Sequence, residues 1–170
     1  MTLAELNAAD RAAFVAALGG VFERSPWVAE RAYAARPFAS VDALHRAMVA
    51  AMHAAPREHQ LALIRAHPEL AGRAMVRNEL TADSTREQEG AGLTQCSPDE
   101  YARLTALNAR YDAKFGFPFI LSVKGHDRAG VIAEFARRLE RDPETEFAEA
   151  LAQIARIAAF RLAEVLPGSA

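Results

Sequence analysis

The sequence is poor in several residue types, and each shortage excludes a class of protein. Its 170 residues contain one cysteine, Cys96, which excludes an intramolecular disulfide framework and a cysteine-based metal site. The flanking Gln95 and Ser97 offer nothing that would activate a thiolate, so we expect Cys96 to be buried or in a loop rather than nucleophilic.

The 20 basic residues are scattered among 22 acidic ones. Because polyanion binding needs clustered Lys and Arg, we expect no nucleic-acid partner.

Long hydrophobic runs are also missing. Hydrophobic residues make up 51% of the chain, but no run of them is long enough to span a bilayer, so we expect no membrane partner. Residues 1–7 lack the basic region and apolar stretch of a signal peptide. Residues 167–170 do not form a peroxisomal address. From these absences we expect a cytoplasmic protein.

Helix-forming residues make up much of what the sequence does contain. Ala, Leu, Glu and Arg are abundant while β-branched residues are sparse, which predicts an all-α fold. The length suits a single domain over residues 1–170, which we expect to be a helical bundle. Residues that favour helix starts recur along the chain. The predicted starts are Asn7, Ser25-Pro26, Ser40, Ser97-Pro98 and a capping box formed by Ser84 and Glu87.

One segment departs from the helical pattern. Residues 115–123, Phe-Gly-Phe-Pro-Phe-Ile-Leu-Ser-Val, are apolar and aromatic with Gly and Pro inside, which predicts a short extended buried segment. Its backbone could lend N–H and C=O groups to a ligand, or it could be core alone. Helices are also predicted from Pro68 through Met75, near residues 129–141 and near residues 144–166.

His67 is the histidine whose position favours chemistry. It precedes Pro68, and the residue before a proline is kept out of the helical region, so we expect His67 at a helix end where it can face a cleft. An imidazole exchanges a proton near neutral pH. The alternative is a histidine that contacts the last carbonyls of its helix. The other histidines lack metal-ligand spacing, so no metal is expected. They are interpreted as surface or hydrogen-bonded side chains: His45, His53, His59 and His126.

The sequence pattern alone does not decide between a structural and a functional role at four further positions. Ser84 and Glu87 fit a capping box, which is a structural role, yet a helix N-terminus also attracts anions. Gln88 adds an amide that can both donate and accept. Arg161 has apolar neighbours on the last predicted helix. On a buried stripe it would need a carboxylate or ligand partner, and on an exposed stripe it would be a surface side chain.

Several separated motifs together resemble the OHCU decarboxylases, which act on 2-oxo-4-hydroxy-4-carboxy-5-ureidoimidazoline. The resemblance covers nearly the whole chain. The segments that carry it are residues 22–29, His67-Pro68-Glu69-Leu70-Ala71-Gly72, Ser84-Thr85-Arg86-Glu87-Gln88 with residues 90–93, and residues 108–111, 115–120 and 156–162.

The resemblance implies an all-α carbon–carbon lyase that uses no cofactor, acts on a small molecule and forms a homodimer. His67, Glu87 and Arg161 match the family's catalytic positions. The positions that match its substrate contacts are Pro68, Ser84, Gln88, Phe119, Ile120, Leu121, Ser122 and Val123.

The reaction implied by the resemblance is decarboxylation to (S)-allantoin, the final step of urate-to-allantoin conversion in purine catabolism. Loss of CO2 leaves electrons that the substrate's own ring can absorb, so no pyridoxal or thiamin is needed. His67 is expected to move a proton and Arg161 to bind substrate and stabilise oxyanion charge. Glu87 would orient His67, bond the ureido group or crowd the carboxylate. Two alternatives stay open: a helical interaction module without catalysis, and a decarboxylase of a related ureido acid.

Overall fold

A computed structural model describes residues 1–72, 75, 77 and 79–168. Within these residues the regular secondary structure is helical and contains no strand, which confirms the all-α prediction. The α-helices in chain order are α1 (Leu3–Ala8), α2 (Arg11–Leu18), α3 (Trp27–Ala32), α4 (Val41–His53), α5 (Arg57–Ala66), α6 (Ala82–Gly90), α7 (Pro98–Phe115), α8 (Arg128–Arg138) and α9 (Pro143–Val165). None of the described helices is both long and apolar enough to cross a membrane.

Two of the longer helices begin at the predicted capping serines. The Ser40 hydroxyl accepts from the Ala43 N–H at 3.0 Å at the start of α4. The Ser97 hydroxyl accepts from the Glu100 N–H at 3.1 Å at the start of α7, which has Pro98 as its first residue. Each cap satisfies a backbone donor that the helix itself leaves without a partner.

The predicted starts at Asn7 and Ser25 are wrong. Asn7 lies inside α1, and its side chain exchanges two hydrogen bonds of 2.8 and 2.9 Å with the backbone of Phe38. This pairing ties a distant loop to α1, so the amide is used for tertiary contact rather than as a cap. α3 begins only at Trp27, since Pro26 occupies the cap position and no side chain caps the helix.

Contacts divide the described chain into two compact units. The first unit comprises residues 1–66 and the described residues from Ile154 onward, and the second comprises the described residues of His67–Gln153. In the first unit α3 packs against α4, whose buried face has the predicted four-residue spacing of Leu44, Met48 and Met52. The expectation of one domain over residues 1–170 stays a prediction.

The core of the second unit is aromatic. α7 buries Leu104, Leu107 and Tyr111 and packs against α8. The rings of Phe119 and Phe135 stack at a centroid distance of 3.9 Å, so an aromatic side chain of the segment after α7 packs against α8.

The predicted non-helical segment is confirmed and positions part of the candidate site. α7 ends at Phe115 because Gly116 adopts a left-handed conformation, with φ at 72°. Residues 116–123 form neither helix nor strand, and Phe117 and residues 119–123 are buried. Phe115 itself belongs to α7, so the segment begins one residue later than predicted.

Candidate active site

His67 lies where the proline rule places it. α5 ends at Ala66, and His67 follows immediately, before Pro68. Its side chain is buried, with 7% of the residue exposed. The predicted position at a helix end is therefore confirmed, and the imidazole belongs to the interior of the protein rather than to its outer surface.

The turn after His67 is fixed by an amide side chain of α6. Ala71 has a positive φ of 49°, which breaks any helix started at Pro68, so residues 68–72 are not helical. Residues 73 and 74 of that predicted helix lie outside the described residues, and Met75, its last residue, is helical. Gln88 stabilises the turn: its side-chain oxygen accepts from the Ala71 N–H at 2.9 Å, and its Nε2 donates to the Glu69 carbonyl at 3.4 Å.

A second buried amide, from α7, fixes the same turn. Asn108 Nδ2 donates to the Leu70 carbonyl at 2.9 Å, and Asn108 is 5% exposed. The sequence motif contained Asn108, but nothing in the motif identified it as a partner of the turn after His67. The only available signal was a polar residue on the apolar face of a predicted helix, which indicates a buried hydrogen bond.

Glu87 and Ser84 have a different structural setting from the predicted capping box. Thr81 caps α6, its hydroxyl accepting from the Ser84 N–H at 3.3 Å, so Ser84 lies within the first turn and Glu87 is not a capping glutamate. The physical reason is that Thr81, itself a preferred cap residue, stands three residues earlier and caps the helix first. Ser84 and Gln88 are buried and Glu87 half-buried. Their spacing of three and four residues places all three on one side of α6.

The segment of residues 119–123 lies in the second unit and is tied to α8 and α9. The Ile120 carbonyl accepts from Arg138 Nη1 at 2.7 Å, and the Ser122 N–H donates to Gln153 Oε1 at 2.9 Å. The segment ends in a turn in which the His126 N–H donates to the Val123 carbonyl at 2.9 Å. Its backbone is thus held at defined points rather than by a ladder of sheet hydrogen bonds.

Arg161 lies in the first unit, on the buried side of α9. It is 4% exposed, and its Nη1 donates to Glu23 Oε2 at 2.8 Å and to the Gly20 carbonyl at 3.4 Å. Of the two alternatives for Arg161, the buried stripe is the observed one. Glu23 is the carboxylate partner that a buried arginine needs. The sequence did not identify Glu23 as that partner.

The remaining histidines have the roles expected of them. His45 Nε2 lies 2.8 Å from the Ala155 carbonyl oxygen, His59 packs against Trp27, and His53 and His126 are exposed. No group of three potential ligands among the described residues is arranged to bind a metal ion.

Cys96 lies half-buried in the loop before α7, as predicted. Its thiol donates to the Leu93 carbonyl at 3.3 Å. Burial raises the pKa of the Cys96 thiol, and the nearby Glu100 carboxylate raises it further. The cysteine is therefore a poor nucleophile at neutral pH.

An open cleft of about 700 Å³ in the second unit is separate from these residues. It is lined by the end of α6 and the beginnings of α7 and α8, and none of the predicted site residues lines it. Its Arg128 is paired with Glu100 at 2.6 Å. We assign it no part in the chemistry.

Comparison with known proteins gives one consistent family. The sequence profile of the family described as OHCU decarboxylase matches residues 7–163. The 2-oxo-4-hydroxy-4-carboxy-5-ureidoimidazoline decarboxylase of Haloferax volcanii is 44% identical over 164 residues, which cover 96% of this chain and 95% of that protein.

Two longer proteins match over part of their length. The uric acid degradation bifunctional protein PucL of Bacillus subtilis is 44% identical over 165 residues, which cover 97% of this chain and only 33% of that protein. The crystal structure of an (S)-allantoin synthase superposes with a TM-score of 0.77 and 28% identity, covering 98% of this chain and 54% of that one. The family match, the near-complete coverage and the common fold together show that this chain belongs to the OHCU decarboxylase family.

Proposed function

We propose that this protein is a carboxy-lyase that converts 2-oxo-4-hydroxy-4-carboxy-5-ureidoimidazoline to (S)-allantoin and CO2 in urate degradation, without a cofactor. The observation that carries the proposal is the family match over residues 7–163. The buried His67 at a proline-fixed corner, with the following turn held by two buried amides, supports it. The proposal concerns decarboxylation alone, since the chain spans only a third of the bifunctional relative.

The substrate itself accommodates the electrons that decarboxylation releases. The carbon that loses its carboxylate also carries a hydroxyl and adjoins the ring C=N bond. When the C–C bond breaks, its electron pair forms a C=C bond to the neighbouring ring carbon, and the C=N pair moves to the ring nitrogen, which takes up a proton. The hydroxyl then loses its proton and becomes a carbonyl, while the ureido-bearing carbon gains a proton to give allantoin. The protein's task is to stabilise this charge and direct the last proton.

His67 is the proposed proton carrier. It would accept the hydroxyl proton and deliver a proton to one face of the ureido-bearing carbon, which fixes the configuration of the product. Burial favours this role because it limits exchange with bulk water at the reacting carbon. Pro68 would line the pocket beside it.

The polar side of α6 is the proposed site for the ureido group. Ser84 and Gln88 would bind the substrate and Glu87 would orient His67 or accept from ureido N–H groups. The hydrogen bonds of Gln88 to the turn after His67 give it a second task, since they fix the backbone next to the proposed catalytic histidine. The backbone of Phe119, Ile120, Leu121, Ser122 and Val123 would provide further substrate contacts.

Arg161 is the proposed group that binds the substrate's negative charge. A guanidinium offers five N–H donors in a rigid plane, and Glu23 fixes that plane from the protein side. Together these contacts would hold a cation in place before the oxyanion develops, which is the arrangement that lowers a barrier most.

A homodimer in the cytoplasm completes the proposal, and it rests on the family resemblance and on the sequence. Light scattering on the purified protein would measure the mass directly, and a mass of twice the 18.5 kDa chain is expected.

The reaction is tested by circular dichroism of freshly made substrate with and without the protein. The substrate is generated in place from urate by urate oxidase and hydroxyisourate hydrolase, and a chelator is added in a parallel sample. We expect rapid appearance of one optically active allantoin at a rate that the chelator does not change.

Other outcomes identify the alternatives. Slow racemic decay at the rate seen without protein would reject the proposal and favour a helical interaction module. Turnover of a different ureido acid would indicate a decarboxylase with a shifted substrate. Turnover that the chelator stops would reject the cofactor-independent part.

A further inference from the structure

The non-helical segment of residues 119–123 is anchored along one edge. Arg138, which is fully buried, donates from Nη1 to the Ile120 carbonyl at 2.7 Å. Gln153, 3% exposed, accepts from the Ser122 N–H at 2.9 Å. Both anchors are polar side chains that reach the backbone of a segment that makes no sheet hydrogen bonds.

The two anchors are themselves held by buried or half-buried charges. The Arg138 guanidinium makes hydrogen bonds of 2.8 to 3.1 Å to both oxygens of Glu146, and Glu146 also accepts from the Tyr111 hydroxyl. Gln153 Nε2 donates to Glu149 Oε1 at 2.7 Å. Such a network is expensive to bury and strongly directional. It is therefore suited to fixing backbone position more finely than apolar packing does.

The bonds at Ile120 and Ser122 are spaced as they would be on one side of an extended chain. In an extended chain the N–H and C=O of residues i and i+2 face one side, and those of residue i+1 face the other. The bonds at Ile120 and Ser122 fit this period. Leu121 lies between them and is 5% exposed, and its peptide groups make no hydrogen bond with the described residues. A buried peptide group of this kind needs a polar partner.

We infer that Arg138 and Gln153 are positioning residues for the decarboxylation, because they hold the segment so that Leu121 presents its N–H and C=O to the substrate ring. The ring of the proposed substrate carries an adjacent N–H and C=O of its own, which complement a peptide group. This inference rests on the proposed function. It gives Arg138 on α8 and Gln153 on α9 a part in recognising the substrate ring, although neither of these two side chains touches the substrate.

Adjacent arginines allow a matched test. Arg138→Lys keeps the charge but loses the rigid planar set of donors that spans Glu146 and the Ile120 carbonyl, because an ammonium is a compact group on a flexible stem. Arg137→Lys makes the same change one residue earlier, at an exposed side chain paired with Glu134. Gln153→Met removes the acceptor for the Ser122 N–H at nearly constant volume. Each variant is assayed for kcat and KM at a temperature where far-UV circular dichroism shows it fully folded.

We expect Arg138→Lys and Gln153→Met to lower kcat/KM by about 10- to 100-fold, since small misplacements of a binding group have effects of this size. Arg137→Lys should match the unmodified protein. Amide exchange by NMR supplies an independent readout. Saturating (S)-allantoin should slow exchange of the Leu121 N–H in the unmodified protein and fail to do so in Arg138→Lys.

The outcomes separate this inference from the proposed function. Absence of turnover by the unmodified protein rejects the proposed function. Normal turnover by the unmodified protein together with unchanged kcat and KM in both anchor variants overturns the positioning role, even where melting temperatures fall. Protection of Leu121 that is equal in Arg138→Lys overturns it as well.

Discussion

At the scale of single residues, the backbone around His67 separates it from the other four histidines. The proline that follows it ends α5 and places the imidazole at a buried corner. His53, by contrast, ends α4 on an exposed face. The position of His67 therefore suits the proposed proton transfer, whereas that of His53 suits a surface group.

Replacing His67 tests the proton transfer. We expect His67→Ala to lower kcat by about 10²- to 10⁴-fold, the usual contribution of a positioned acid–base group. The exposed His53→Ala serves as the control and should retain full activity. Rates come from the circular-dichroism assay, with far-UV spectra to confirm folding. Rapid turnover by His67→Ala would remove the histidine from the mechanism.

A second prediction at the residue scale concerns the ion pair between Glu23 and Arg161. Glu23→Gln keeps an acceptor oxygen but removes the charge that balances a buried guanidinium. We expect the free energy of unfolding to fall by about 1.5–3 kcal/mol, as for other hydrogen bonds to charged groups. We also expect kcat/KM to fall roughly tenfold because Arg161 loses its fixed orientation.

The control for this pair is Glu30→Gln, on the exposed face of α3. Urea unfolding and steady-state rates measured on the same preparations separate the two effects. Loss of stability with an unchanged kcat/KM would assign Glu23 a purely structural role.

Sequence reasoning located Arg161 but not its partner, and the cause is physical. Glu23 and Arg161 are 138 residues apart, so no local pattern links them. A buried arginine requires a carboxylate or a ligand, yet that rule does not choose among the acidic residues. Only the tertiary structure identifies Glu23 as the partner. Asn108 was missed for the same reason, since its partner Leu70 lies 38 residues away.

At the scale of elements, local rules predicted some helix ends and missed others, including the starts at Asn7 and Ser25. Ser40 and Ser97 cap their helices as expected, and Gly116 ends α7 where the aromatic segment begins. The capping box at Ser84 failed because Thr81 lies one turn earlier. Arg138 and Gln153 could not be predicted to hold residues 119–123, because they lie on helices that follow later in the chain.

The corrected start of α6 can be tested through Thr81. Thr81→Ala removes the side chain that accepts from the Ser84 N–H and should lower the free energy of unfolding by about 1 kcal/mol. Thr81→Ser keeps the hydroxyl and should stay close to the unmodified protein. Urea denaturation provides the measurement. Equal stability of the alanine and serine variants would argue against a cap at Thr81.

At the scale of the whole molecule, the buried hydroxyl of Tyr111 makes the free energy of unfolding depend on pH. Burial, reinforced by the hydrogen bond to Glu146, raises the pKa of the Tyr111 hydroxyl far above its usual range. The folded protein therefore keeps this proton where the unfolded chain loses it. A raised pKa contributes stability that is fully present below the unfolded value near 10 and declines as the pH rises above it.

Tyr111→Phe isolates this contribution from all other titrating groups. Between pH 10 and 11 the unmodified protein should lose about 1 kcal/mol more unfolding free energy than Tyr111→Phe does, because the unfolded tyrosine goes from about half to about nine-tenths deprotonated over this range. The variant also loses a buried hydrogen bond, so the slopes with pH are compared rather than the absolute stabilities. Tyr101→Phe, at an exposed position, should follow the unmodified protein. Parallel curves for Tyr111→Phe and the unmodified protein, measured by urea unfolding from pH 8.5 to 11, would show that Tyr111 does not couple protonation to folding.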